Sequence, residues 1–423
     1  MSIFFEKFFA VLNERYDYVV LRNHDGLPYY CESRDIDVLV SKRQFGNFMD
    51  EFHKLLNVFG LKIIFIKKQQ DIVGVCFLDG SSVYQIDVFK NVDILGVKFI
   101  DENEFLSRRI FNGLVYHLNF VDILLIKSIY CSALCVDLSA RYVKMYSELT
   151  VAEREELSYR LRRIGFSSRT IRTRLPIVRQ FFKNLFHSPL KTLSGYLLSS
   201  CLRIKNWISP IGFIISFTGP DGCGKTTVIN LLMKRLDVNP PLLFHFRPSI
   251  LPNLGEVGVK TGIKKDVDRN YSVPHRGKKH GKLNSLVRLC YYSLDYILGY
   301  LIKILPLRQH KHIVFFDRYY SDIIVDHERS GIFLSHKFLA WWRHLIPSCQ
   351  YNFFFKVNPD IILSRKQELS RDAIERIYSR MEYLATVEKK CFWIDNNGTP
   401  EDAVRQILTI IADRQHKKYA KKL

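Results

Sequence analysis

Five short apolar runs, YVVLR (18–22), DIDVLV (35–40), KIIFIK (62–67), VGVCFL (73–78) and YQIDVF (84–89), are rich in Val, Ile and Phe and predict strands. Among them SKRQFGNFMDEFHKLL (41–56) repeats its apolar positions at helical spacing, so region 1–100 reads as a mixed α/β domain. Region 101–206 is mostly helical by pattern, with regularly spaced arginines in RLRRIGFSSRTIRTRLPIVRQ; it predicts a helical basic connector. Region 207–423 opens on the apolar strand GFIISF (212–217) and closes on the Lys-rich tail HKKYAKKL (416–423). Within it, TGIKKDVDRNYSVPHRGKKHGKL (261–283) is polar and rich in turn formers, which predicts a long loop.

Charge changes this picture more than bulk composition does. The 423 residues carry 63 Lys and Arg against 42 Asp and Glu, a net +21, which favours polyanionic partners such as nucleotides, nucleic acid or an anionic membrane face. The stretch 151–206 alone holds twelve basic residues and three Glu. That composition fits a solvated connector packed on its neighbours, or a surface for phosphates or anionic lipid. Nine scattered cysteines suit a reducing cytoplasm; Cys131 and Cys135 lie one helical turn apart, but no second ligand pair follows, so buried thiols are expected. The N-terminal MSIFFEKFFAVLNERY has charge inside its apolar run and lacks the pattern of a signal peptide. The apolar stretch 289–307 is interrupted by Asp295 and Lys303 and predicts a buried helix, not a membrane span. The expectation is a soluble, cytoplasmic protein without a transmembrane segment.

The sharpest chemical signal is Gly219-Pro220-Asp221-Gly222-Cys223-Gly224-Lys225-Thr226, with Thr227 following. It sits after a predicted strand and opens the helical pattern TTVINLLMKRL (226–236), the context a phosphate-binding P-loop requires. In such a loop the backbone N–H groups cradle the phosphates of ATP, Lys225 bridges the β- and γ-phosphates, and the Thr226 hydroxyl ligates Mg²⁺. A chance Gly-rich turn would lack the flanking strand and helix. Downstream, HIVFFDRYYSD (312–322) ends a second apolar strand at Asp317-Arg318, a carboxylate for metal or proton and a guanidinium for phosphate.

Residues 212–410 resemble the thymidylate kinase family of P-loop kinases, through GPDGCGKTT (219–227), Arg247-Pro248, DRYYSD (317–322), the strand YNFFFKV (351–357) with NPDIILSRKQEL (358–369), and IDNNGTPEDAVRQI (394–407). The resemblance implies a parallel sheet flanked by helices, ATP and Mg²⁺ as cofactors, and a dimer as an allowed assembly. It implies that Asp221 contacts the acceptor's sugar, that Arg247 and Arg318 grip the acceptor's phosphate, and that Asp317 serves the metal. Arg365, Arg371, Arg376 and Arg380 become candidates for a lid over the donor phosphates. FHFRPSILPNLG (244–255) and IIVDHERSG (323–331) depart from the family's acceptor-pocket motifs, so the identity of the acceptor is not carried over.

In DIDVLV the carboxylates of Asp35 and Asp37 point to one face of a strand, and Asp87 is centred in YQIDVF. Three converging carboxylates repel unless a cation neutralises them, which points to Mg²⁺. LRNHDGLPYYCESRDIDVLV (21–40) with Asp87 resembles the nucleotidyltransferase superfamily, which implies a metal-dependent transfer with pyrophosphate as leaving group. The superfamily's Gly-Ser turn is not evident, although Gly26 and Ser33 are near, and an alternating Asp strand facing water is the plain alternative. Lys127 is a candidate triphosphate contact or an ordinary helix-surface lysine. Three functions remain open from these residues: a kinase acting on a nucleoside monophosphate or a related small acceptor, a nucleotidyltransferase acting on a phosphorylated metabolite or sugar, and a nucleotide-gated protein binding nucleic acid or a membrane surface.

Overall fold

The computed structural model describes residues 2–30, 33–80, 82–94, 97–166, 173–236, 242–252, 281–309, 313–366 and 369–419. The chain divides into two compact units, 1–208 with 412–423, and 209–411. Most of the predicted loop 261–283 and residues 420–423 of the Lys-rich tail lie outside the described residues.

The first unit is built on a seven-stranded mixed sheet of order β3-β4-β5-β2-β1-β9-β8. Its strands are β1 (Tyr18–Arg22), β2 (Asp35–Val40), β3 (Lys62–Lys68), β4 (Ile72–Asp79), β5 (Ser82–Phe89), β8 (Ile110–Phe111) and β9 (Tyr116–His117); β6 (Asp93–Ile94) and β7 (Val97–Lys98) form a separate hairpin. β2 is buried over most of its length, as a central strand with neighbours on both sides is. It pairs antiparallel with β1 and parallel with β5, and the parallel register sets Asp37 directly opposite Asp87. Helix Ser2–Arg15 buries Phe4, Phe5, Phe8 and Phe9, and Phe4 packs edge-on against Phe77 of β4.

The helices from 102 onward pack around a core of Leu, Ile and Phe. Arg160, which opens the arginine-rich stretch, is structural. Arg160 is buried against the fully buried carboxylate of Asp122 and bonds Glu104 at 2.7 Å, while Arg108 reaches Asp122 at 3.1 Å. A buried carboxylate is tolerated there because two guanidinium groups neutralise it.

The second unit holds a five-stranded sheet of order β11-β12-β10-β13-β14, every neighbour pair parallel, flanked by helices. Its strands are β10 (Ile214–Thr218), β11 (Leu242–His245), β12 (Val314–Asp317), β13 (Tyr351–Lys356) and β14 (Cys391–Asp395). Strand β10 lies centrally, with β12 on one side and β13 on the other, so the chain reverses its direction of winding there. In such sheets ligands bind beyond the carboxyl ends of the strands at that reversal. No helix among the described residues is long and apolar enough to cross a membrane. The stretch 289–307 is helical but not buried throughout. Asp295 is fully buried whereas Leu301 and Ile302 are exposed, and a π-helical segment, Tyr300–Ile304, re-aims its faces. The expectation of buried thiols at Cys131 and Cys135 also fails: Cys131 is half-buried and Cys135 is exposed.

Candidate active site

Strand β10 leads directly into the loop 219–224 and helix Lys225–Arg235. Gly222 and Gly224 adopt φ of +86° and +85°, a region that favours glycine, and these turns aim successive N–H groups inward. At Gly224 a Cβ would lie 2.6 Å from Asn396 Nδ2, which donates to the Cys223 carbonyl at 2.8 Å. Gly219 passes against Cys223 and Phe355, with Pro220 next. Lys225 is buried, and its ammonium donates to the Gly219 and Pro220 carbonyls at 2.8 Å each. Thr226 and Thr227 are exposed on the helix's first turn.

Asp221 joins a network of charged side chains. One carboxylate oxygen accepts from Arg318 and the other from Arg329, while Arg318 also bonds the buried Asp322 at 2.7 Å. Arg318 takes this position with φ of +71°, a conformation costly outside glycine and held by these bonds. Burial raises the Asp221 carboxyl, but Arg318, Lys225 and Arg329 outweigh it and hold it at about 2. An aspartate in the unfolded chain sits at 3.8, so this carboxylate stabilises the folded state above pH 4 and loses that contribution as pH falls through 2. The difference is worth about 2 kcal/mol at neutral pH. Asp221→Asn is therefore expected to destabilise the unit at neutral pH, and the gap from wild type should narrow from pH 4 to 2. Urea unfolding of the variant and the wild type across that pH range, followed by circular dichroism, checks it.

Asp317 ends β12 beside this network, in register with Phe217 of β10 and His245 of β11. Its Oδ1 is buried with no hydrogen-bond partner among the described residues, and His245 Nδ1 stands 3.5 Å from Oδ2. A carboxylate oxygen with spare acceptor capacity close to the P-loop fits a Mg²⁺ ion or its water. Arg247 is buried after β11, bonded at 3.0 Å to the fully buried Asp295 and stacked over Tyr292 at 4.6 Å. Asp295 also accepts from the backbone N–H groups of Ser249, Ile250 and Leu251, at 3.2, 2.9 and 2.7 Å.

The four predicted lid arginines separate. Arg365 ends helix Pro359–Arg365 with Nη1 3.8 Å from the position a Cβ on Gly224 would take, so it stands over the P-loop. Arg371 pairs with Asp360, Arg380 donates to the Val325 carbonyl at 3.1 Å, and Arg376 is exposed on helix Arg371–Val387.

In the first unit the ligand atoms of Asp35, Asp37 and Asp87 lie within 4.8 Å of one another. Part of the required positive charge comes from Arg22 of β1, which donates to Asp37 and, at 2.6 Å, to Asp35. Gln85 donates to Asp87 at 2.9 Å. Gly74 lies opposite Asp87 on β4, where any side chain would collide with the carboxylate. One guanidinium against three carboxylates leaves a site suited to a divalent cation. Asp37 and Asp87 line a cavity of about 560 Å³, shared with Lys67, Lys127 and Tyr130, which is ample for a nucleotide. Ser33 bonds the Asp35 carbonyl at 2.9 Å, and Gly26 forms a separate turn with Tyr30.

Sequence reading missed Arg22, Arg329, Asp295 and Gly74. For Arg22 and Gly74 a signal existed, since both sit on predicted strands beside the Asp strands. For Arg329, 108 residues from Asp221, there was none.

No protein-family model matches the chain, and no curated protein matches it. Two solved structures similar to it are a thymidylate kinase from Ehrlichia chaffeensis and one from Candida albicans. The first is 17% identical with a TM-score of 0.33, the match covering 47% of this chain and 98% of that one. The second is 16% identical with a TM-score of 0.35, covering 48% of this chain and 93% of that one.

Proposed function

We propose that the unit 209–411 transfers the γ-phosphoryl group of ATP, with Mg²⁺, to a nucleoside monophosphate or a related small acceptor. The observation that carries this reading is the gathering of Lys225, the Asp221–Arg318–Arg329 network and Asp317 at the carboxyl ends of β10 and β12. Loop N–H groups and Lys225 bind the donor phosphates. Asp317 and Thr226 would hold Mg²⁺, which supplies charge neutralisation between the phosphates. Arg318 and Arg365 place positive charge on either side of the loop, where charge spreads over the transferring group, so the protein's work is positioning and electrostatic stabilisation. Asp221 orients Arg318 and receives the acceptor; Arg247 fixes the turn that borders the acceptor's side. Incubation with γ-labelled ATP and a series of nucleoside monophosphates, nucleosides and sugars tests the reading. Label must pass to at least one acceptor, and hydrolysis alone would overturn it.

The carboxylate triad, with Asp37 and Asp87 on the wall of a nucleotide-sized cavity, favours a second activity in the first unit. There Asp35, Asp37 and Asp87 would hold Mg²⁺ for attachment of a nucleotide to a phosphorylated metabolite or sugar, with release of pyrophosphate. Asp35→Asn with Asp37→Asn is expected to stop pyrophosphate release and leave ADP formation intact. A coupled pyrophosphate assay measures the first and a coupled ADP assay the second. If no nucleoside triphosphate and acceptor yield pyrophosphate with the wild-type chain, the second activity is absent.

A further inference from the structure

Helices Leu175–His187 and Pro189–Ile208 pack against one another, with Phe181 against Tyr196 at 5.5 Å. Their inward faces are fixed by polar groups. Gln180 and Asn184 donate to the Lys98 carbonyl at 3.4 and 3.0 Å. Ser199, Arg203 and Asn206 line a cavity of about 150 Å³ together with Gln69, Asp71 and Asp93. Ile177 and Phe181 of the first helix also pack into the hydrophobic core, yet a further apolar face is left outside. Leu190, Leu193, Leu197, Ile204 and Ile208 follow one another at helical spacing and are all exposed, Leu190 by 83%. Trp207 is exposed on the same helix, and Phe182 and Phe186 are exposed on the preceding one, Phe186 with 86% of its surface. A soluble surface seldom leaves so continuous an apolar strip without use.

The charge around it selects the partner. Between Glu156 and Asp221 the sequence contains no Asp or Glu, while Arg179, Lys183, Lys191 and Lys205 lie on these two helices. All four are exposed. Leu, Phe and Trp on one side with Lys and Arg alone beside them are the composition of a helix that lies in the plane of an anionic bilayer. A nucleic acid would use the cations but not the leucines, and a second copy of the chain would bring the same cations against themselves.

We infer that these helices form an interfacial anchor on anionic lipid, with the apolar stripe in the acyl boundary and the cations at the headgroups. This goes beyond the phosphoryl-transfer reading and needs none of its residues.

The test is co-sedimentation of the full chain with vesicles of phosphatidylcholine alone and of phosphatidylcholine mixed with phosphatidylglycerol. Binding is expected to the mixed vesicles only, and to weaken as salt shortens the screening length below about 10 Å. Leu197→Glu with Ile204→Glu should reduce the bound fraction about tenfold or more while leaving circular dichroism and ATP turnover unchanged, because both side chains are exposed. Vesicles should also shift tryptophan emission to the blue, and Trp207→Phe should remove that shift. Failure of the folded wild-type chain to bind mixed vesicles overturns the inference. So does a dimer in sedimentation velocity that the same double substitution dissociates, without vesicle binding, which would make the face a homodimer interface. Binding to a nucleic-acid duplex that the double substitution abolishes, without vesicle binding, overturns it as well.

Discussion

Lys225→Ala is expected to lower phosphoryl transfer by about 10³-fold, because it removes a positive charge from a site where the backbone supplies only partial ones. The ammonium is buried and held 2.8 Å from two loop carbonyls, so its position is set before any nucleotide arrives. A group placed in advance loses little freedom when the phosphates enter, and its charge acts in a site with little water. In the proposed reaction the loss should fall mainly on kcat, since the loop N–H groups would remain to bind the donor. Lys225 also helps to depress the Asp221 carboxyl, yet Arg318 contributes more and persists, so the Asp221 network should stay ionised in the variant. Initial rates against ATP at saturating acceptor check this, with circular dichroism as the control for folding. Wild-type rates in the folded variant would show that the P-loop is not the donor site.

What the residues disclosed in advance, and what they withheld, follows from how local each signal is. The strands β10 and β12 were legible as apolar runs because each is buried by its neighbours, which erases the polar alternation of an edge strand, while β2 and β5 kept their Val, Ile and Phe around the aspartates. The P-loop was legible because its glycines, lysine and threonine act within one turn of chain. The pairing of Asp35, Asp37 and Asp87 needed only two strands and a period of two. By contrast, β8 and β9 are two residues each and carry no periodicity, so segment 110–117 read as part of a helical region although it joins the sheet's edge. Arg160 read as one of many surface arginines because its partner Asp122 is 38 residues away, and pairing inside a core leaves no local pattern. Arg329 was invisible for the same reason. Asp295 was read correctly as a break in an apolar stretch, but its role depends on a turn contributed by residues 247–251.

That turn gives the largest expected effect on stability. Asp295→Ala should destabilise the unit 209–411 by about 3–5 kcal/mol, the cost of leaving a buried charge without its partner. Asp295 is fully buried and accepts four hydrogen bonds, one from the Arg247 guanidinium and three from consecutive backbone N–H groups. Alanine would strand all four donors where water reaches them poorly. The turn cannot easily rearrange to recover them, because Phe246 and Ser249 already occupy φ of +61° and +56°, a strained conformation that the carboxylate holds in place. For a unit of this size the melting temperature should fall by roughly 10 °C. Asp295→Asn keeps an acceptor oxygen and should lose less. Arg247→Met combined with Asp295→Ala should recover part of the loss by removing the stranded charge, but not the part owed to the three N–H groups. A double-mutant cycle on urea or thermal unfolding separates the two contributions. If Asp295→Ala melts with the wild type, the carboxylate does not organise this turn, and Arg247 is fixed by its stacking on Tyr292 instead.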